Sequence, residues 1–253
     1  VFVDEIRLNI SMNTIPGNGR DVVNITDIAN TTQGNHNLQI RNGVGSDTKT
    51  YSSIPRKGTE SNPGLSCADI FSSGFLPSSG IYWIAPAGTK FQVYCDMETD
   101  GGGWTKIEFD SDLPHINRWI TGDSWRWLTS NFQTILSTAQ IQSIQSVSTE
   151  GRQRYNGSCE GVIHYYYSSG ATYDYAFGFR FLNGDETNYG TSNIGVGFAV
   201  IEDGCKDNDG TFRNTVFDIN DARVPIVNVK SRDNGDSGEK FGSVLTQNPA
   251  WLR

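Results

Sequence analysis

The sequence lacks most of what a catalytic or nucleic-acid-binding chain needs. Its 253 residues include only three histidines, and His36, His115 and His164 are scattered with no nucleophile beside any of them. No Gly-x-Ser-x-Gly elbow, phosphate loop or His-Glu-x-x-His pattern occurs. Carboxylate pairs of the kind glycosidases use are present, as in any acidic chain, and catalysis is not expected. Basic residues are in deficit, 20 against 28 acidic, for a net charge of −8. Phosphate backbones demand a basic face, so nucleic acid is excluded as a partner. No apolar run approaches the ~20 residues of a membrane span, and membrane insertion is not expected. There is no starting Met and no signal-peptide pattern, so the chain reads as a mature or trimmed piece of something longer.

Cysteine is sparse as well. Cys67, Cys95, Cys159 and Cys205 form no CxxC pair, and no histidine stands at zinc-finger spacing, which argues against a structural zinc site. An even, widely spaced set fits two disulfides in an oxidising compartment; the alternative is four buried thiols in a reducing one. The chain has 28 glycines and 11% aromatics, a composition that suits a β-rich fold with long loops.

Residues 1–60 differ from the rest. They are rich in Asn, Thr, Gly, Ile and Val and hold neither Cys nor Trp. Short apolar runs (Val1-Phe2-Val3, Val22-Val23, Leu38-Gln39-Ile40) alternate with the turn signals Pro16-Gly17-Asn18-Gly19 and Asn42-Gly43. This predicts a small all-β segment whose apolar content is too thin for a core of its own. It either packs on the larger domain or intertwines with copies of itself, as β-rich fibre shafts do. Ile54-Pro55 to Asn62-Pro63-Gly64 is the linker, and the second domain runs over 61–253.

That domain opens with Ser66-Cys67-Ala68-Asp69-Ile70, Ser79-Gly80-Ile81-Tyr82-Trp83-Ile84 and Phe91-Gln92-Val93-Tyr94-Cys95-Asp96, then Gly101-Gly102-Gly103-Trp104-Thr105. Ile81 and Trp83, like Phe91, Val93 and Cys95, alternate at period two, the mark of half-buried strands. Further on, Asp123-Ser124 predicts the cap of a helix carrying Trp125, Trp127, Leu128, Phe132, Ile135 and Leu136, continued by Ile141, Ile144 and Val147. The tryptophans in and before it, Trp119 included, read as core anchors rather than ligand platforms. Tyr173, Tyr175, Phe177, Phe179 and Phe181 alternate as one strand with an aromatic face, read as core with an interface as the alternative. Gly195 to Ile201 reads as a buried strand and Ile163 to Tyr167 as another. Thr215-Val216-Phe217, Val224 to Val229 and Val244-Leu245 read as short strands, with Pro225 at an edge or a start. Trp251-Leu252 tucks back into the core.

The stretch from Ser66 to Thr105 resembles the fibrinogen C-terminal-like domain. The resemblance implies an α+β, β-rich fold with a central antiparallel sheet and short helices, placed outside the cell or at its surface. A Cys67–Cys95 bridge would close a loop of 28 positions. Cys159 and Cys205, 46 apart, depart from the short-range bridge of that family; if they pair, they pin Asn156-Gly157-Ser158 against an acidic loop. That loop, Asp203 to Asp209, crowds three carboxylates into seven residues. Asp207-Asn208-Asp209 matches a calcium stretch of the family and has the grammar of a hard-cation site, with Gly210 allowing the turn. The alternative is a solvated acidic loop. The expected function is a non-catalytic adhesin or lectin for surface glycans, the receptor-binding tip of a homotrimeric fibre whose shaft ends in residues 1–60. The competing reading is a structural or assembly module with no glycan ligand. Tyr165, Tyr166, Tyr167, Tyr173, Asn208 and Arg213 are the candidate ligand residues, and Asp207 and Asp209 the candidate Ca²⁺ ligands. Sequons at Asn9, Asn24, Asn30 and Asn156 would carry glycans only in a eukaryotic secretory route.

Overall fold

The computed structural model describes residues 2–3, 6–7, 11–13, 22–24, 34–41, 46–53, 56–73, 77–110, 119–122, 124, 126–160, 164–166, 173–175, 177–188, 197–202, 204, 211–231, 240–243 and 248–253. The chain divides into two compact units, Val1–Pro63 and Gly64–Arg253.

In the first unit the described residues form antiparallel strand pairs and no helix. Strand β1 (Phe2–Val3) pairs with β2 (Ile6–Arg7), and β3 (Ser11–Asn13) with β4 (Val22–Asn24). The longest pair is β5 (Gly34–Arg41) with β6 (Ser46–Ser53), in register from Gly34↔Ser53 to Arg41↔Ser46. The Asn42-Gly43 turn signal falls in the connection between them, as hairpin geometry requires.

The second unit begins with a short helix, α1 (Cys67–Phe71), capped by the Ser66 hydroxyl, which accepts from the Asp69 N–H at 3.1 Å. Strands β7 (Gly80–Ile84), β8 (Phe91–Asp96) and β9 (Trp104–Ile107) follow, with a 3-10 turn at Thr99–Gly101 before β9. Next come β10 (Trp119–Ile120), β11 (Arg126–Trp127), helix α2 (Thr138–Gln145) and the ten-residue β12 (Gly151–Glu160). A hairpin of β13 (His164–Tyr166) and β14 (Tyr173–Tyr175) precedes β15 (Phe177–Phe181), β16 (Glu186–Asn188) and β17 (Gly197–Glu202). The chain ends in β18 (Phe212–Asn220), β19 (Ile226–Ser231), β20 (Lys240–Ser243) and β21 (Ala250–Leu252).

Strand β12 is where the large sheet branches. One of its edges pairs along its length with β18, which carries β17 beyond it. The other edge is shared. Its start pairs with β21, and through β21 the sheet continues to β9, β8 and β7. Its end pairs with β20, which leads to β10. A second sheet, in the order β11-β19-β15-β16, lies against this one. The core between the sheets is aromatic. The Tyr155 ring stacks on Phe217 and Phe241 at 6.1 and 6.4 Å and meets Phe179 edge-on at 5.4 Å. Gln153 links the sheets, its side-chain oxygen accepting from the Ile226 N–H at 2.7 Å.

The β-rich α+β architecture is therefore as expected, but several local expectations are corrected. In β8, Phe91, Val93 and Cys95 are buried, as the alternation predicts. In β7 the faces are reversed: residues opposite one another in an antiparallel pair share a face, and Val93 and Phe91 stand opposite Tyr82 and Ile84. Ile81, paired with Tyr94, faces outward and is 61% exposed. Asp123 and Trp125 lie outside the described residues, and the described residues from Arg126 to Leu136 form no helix. Arg126–Trp127 is a strand, and the N–H groups of Leu128 and Phe132 bond to Val229 and Val227 of β19, so tertiary pairing takes the donors a helix would use. Helix begins only at Ser137, whose hydroxyl and Gln140 form a capping box, and Ile141 and Ile144 are its buried face. Trp127 is half-buried rather than a core anchor, with Arg180 and Lys230 over its ring at 4.0 and 4.9 Å. The aromatic strand from Tyr173 to Phe181 is two strands in different sheets; Phe179 and Phe181 are core. The strand near Gly195 forms as β17, at the sheet's edge, with Ile201 53% exposed rather than buried. Pro225 precedes β19, a wholly buried central strand, so it marks a start and not an edge. Val244-Leu245 lies outside the described residues.

The Cys67–Cys95 disulfide is present, with Cα atoms 5.5 Å apart and both residues fully buried. It fastens α1 to β8. Close packing tightens the same corner: a Cβ on Gly103 would stand 2.9 Å from the Ala68 Cα, and Gly102, at φ +71°, packs against the Met97 carbonyl. Replacing both cysteines by serine is expected to cost about 3–4 kcal/mol in denaturant unfolding, the unfolded-state entropy of a loop this long. Unchanged stability in the double variant would show that packing alone holds the corner.

Candidate functional site

The outward face of the large sheet brings its strands' polar and aromatic side chains into one row. Register pairs run Ile81↔Tyr94, Lys106↔Trp251, Trp251↔Arg152 and Arg152↔Asn220. The Lys106 amine lies over the Tyr94 ring at 5.5 Å and joins the first pair to the rest. Beside this row, Trp104 meets two cations: the Arg152 guanidinium stands 4.1 Å from its ring centre and that of Arg253 4.4 Å. A cleft of 610 Å³ opens on this face, lined by Asp100, Arg152, Arg154, Asp218, Asn220 and Trp251 among others.

The arginines in and around the cleft each pair with a carboxylate, while Asp96 is held without a cation. Arg152 pairs with Asp100, and Arg253 donates to Glu150 at 2.6 Å and to the Asp100 carbonyl at 2.9 Å. Arg154 donates from Nε and Nη2 to the two Asp218 oxygens at 2.6 and 2.7 Å, a bidentate fork. That hydrogen bonding holds the Asp218 carboxyl below the usual carboxylate range and raises the Arg154 guanidinium. Partial burial pushes Asp96 up, but donors from Thr99, Glu98 and Ser79 outweigh it and hold Asp96 low. The N–H groups of Glu98 and Thr99 reach its carboxylate at 2.9 and 3.0 Å. None of these residues stands out in the sequence. Arg152-x-Arg154 and Asp218-x-Asn220 each alternate outward, but the pairing of strands some sixty residues apart is what joins them.

Of the ligand residues expected from sequence, Tyr165 and Tyr166 lie on β13 and Tyr173 on β14, with Tyr166 opposite Tyr173. Arg213 lies on β18 opposite Cys159. Cys159 is buried and disulfide-bonded. Tyr167, Cys205, Asp207, Asn208 and Asp209 lie outside the described residues. Gly204, just before Cys205, packs against the Asn214 backbone of β18, which runs beside β12 and Cys159. Among the described residues no three His, Cys, Asp or Glu side chains cluster as a metal site, and no helix is long and apolar enough to cross a membrane.

Comparison with known proteins adds what geometry does not. The family model of the fibrillar collagen C-terminal domain matches residues 52–246. The collagen alpha-1(II) chain of Gallus gallus is 25% identical over 209 residues, covering 74% of this chain and 24% of that protein. Angiopoietin-2 of Canis lupus familiaris is 30% identical over 131 residues, covering 47% of this chain and 25% of that protein. The chain thus spans about a quarter of the length of these relatives. The stretch behind the fibrinogen-like resemblance, Ser66 to Thr105, falls inside the collagen-type match, and the family assignment follows that match.

The carboxylates on the sheet face set an acid limit. Asp218 and Asp96 have folded pKa values below their unfolded value of about 3.9. Their stabilisation is complete above that value and is lost as pH falls through the lower folded values. Asp218→Asn is expected to lower the melting temperature near neutral pH and to converge with the unaltered protein as pH falls through the lowered folded pKa. A gap that persists in acid would show that the asparagine harms packing rather than an ion pair.

Proposed function

Since the chain belongs to the fibrillar collagen C-terminal domain family and is extracellular, we propose that it is a non-catalytic assembly module that joins three copies of its own chain. The observation that carries this reading is the family match across residues 52–246. Collagen winds three chains about one axis, and something outside the helix must bring three together in register. The match falls almost wholly within the second unit, which favours assembly through that unit over assembly through residues 1–60. Sedimentation equilibrium on the full chain is expected to give three times the single-chain mass of 27.9 kDa. The mass of one chain at ~micromolar concentration, where specific complexes commonly persist, would remove the proposal.

The β13–β14 hairpin favours a second reading, in which a surface glycan is bound. Its register brings the strand carrying Tyr165 and Tyr166 alongside Tyr173, and tyrosine offers an apolar face with a polar tip. Tyr167, Asn208 and Arg213 complete the proposed ligand set. A glycan array tests it: saturable binding that falls in Tyr166→Ala carries it, and an empty array ends it. On either reading, Ca²⁺ held by Asp207 and Asp209 would stiffen the acidic loop, and the melting temperature is expected to rise with Ca²⁺ and fall with a chelator. Identical melts in both conditions would eliminate the ion.

A further inference from the structure

The large sheet exposes aliphatic side chains on its two outermost described strands, and Lys106, Arg152, Arg154 and Arg253 between them are already paired with carboxylates. At one end is β7, where Ile81 is 61% exposed beside Tyr94, itself 37% exposed. At the other is β17, where Ile201 is 53% exposed at a register shift between Val200 and Glu202. We infer that the Ile81–Tyr94 edge of one copy seats against the Ile201 edge of the next, head to tail, and that this contact closes a ring of three. The inference rests on the assembly reading above and names the surfaces it uses.

Three observations converge on a second copy as the occupant. A ring needs a heterologous contact, in which two different patches of one chain meet. The two edges of one sheet supply such patches at opposite ends of the same molecule. Next is charge. At −8 the chain carries a net repulsion between its own copies. On the outward sheet face part of that charge is offset, because Lys106–Glu108, Arg152–Asp100, Arg154–Asp218 and Arg253–Glu150 pair there, while Asp96 is held by N–H and hydroxyl donors. Last is anatomy. An aromatic and an aliphatic side chain with ion pairs around them is the make-up of an interface centre and its rim. The contact is made by side chains and not by added strands. The register shift interrupts the β17 edge, and Gly64 occupies the β7 edge at Ile84, with its N–H bonded to the Trp83 carbonyl.

The test uses the full chain, with Ile81→Arg, Ile201→Arg and a control, Ile135→Arg, whose side chain is 65% exposed and on neither edge strand. Each edge variant is expected to weaken self-association at least about tenfold by sedimentation, the loss of one interface anchor, while the control leaves it unchanged. Thermal melts that match the unaltered protein confirm that all three fold. A direct readout follows from the head-to-tail arrangement. Under mild oxidation, a mixture of Ile81→Cys and Ile201→Cys chains is expected to cross-link between copies, and neither chain to do so alone. If the unaltered chain is trimeric and both arginine variants stay trimeric, the edge contact is overturned and the assembly reading stands. Dissociation by Ile81→Arg alone, or cross-linking by a single cysteine variant, overturns the pairing with Ile201. A single-chain mass for the unaltered protein overturns both.

Discussion

Strand β12 must satisfy two neighbours on one edge and one on the other, and the second unit follows from how its residues divide between faces. Tyr155 and Cys159 point into the core and are fully buried, while Arg152 and Arg154 point out. Gly157 has no side chain where one would meet the Tyr155 ring at 2.8 Å and the Gly242 carbonyl at 3.1 Å. That absence lets β20 come alongside just where β21 leaves off. The gathered rings of Tyr155, Phe217, Phe241 and Phe179 then hold the two sheets together, each contact worth about 0.5–1.5 kcal/mol beyond the area it buries.

The outward face depends on the same strand. With Tyr155 facing in, period two forces Arg152 and Arg154 out, and the register with β18 then puts Asp218 within reach of Arg154. The register with β21 puts Trp251 beside Arg152, and Arg253 continues that strand to the Trp104 ring. The Gly101-Gly102-Gly103 turn, with all three residues at positive φ, delivers Trp104 to those two cations, and the Cys67–Cys95 bridge ties the preceding strand to α1.

Much of this was legible in the sequence wherever the signal is local. The burial of β8 and the return of Leu252 to the core follow from alternation and apolar content, and the Cys67–Cys95 bridge stands in the stretch that carries the fibrinogen-like resemblance. What failed was decided by partners far along the chain. Ile81 and Trp83 are as apolar as Tyr82 and Ile84, so only the pairing with β8 tells which set faces in. Leu128 and Phe132 have helical spacing, but β19, a hundred residues on, claims their N–H groups. Ser137 and Gln140 stood in the sequence as the true helix start and were overshadowed by the apolar pattern before them. The candidate site fared worse for the same reason. A bidentate pair between Arg154 and Asp218 needs two strands 64 positions apart to lie side by side, and nothing in either strand names the other.

The paired charges also bear on what this face can recognise. An incoming anion at Arg154 must displace Asp218, a partner already held in place by the fold, whereas the newcomer gives up its freedom to move on binding. It would gain one fork by breaking an equal one. The same holds at Arg152 with Asp100 and at Arg253 with Glu150. A neutral surface faces no such exchange: it can cover the ion pairs at the rim without breaking them and bury Ile81 and Tyr94 at the centre. On an acidic chain, pairing four carboxylates within the fold lowers the repulsion between identical copies at this face, and apolar contact can join them there.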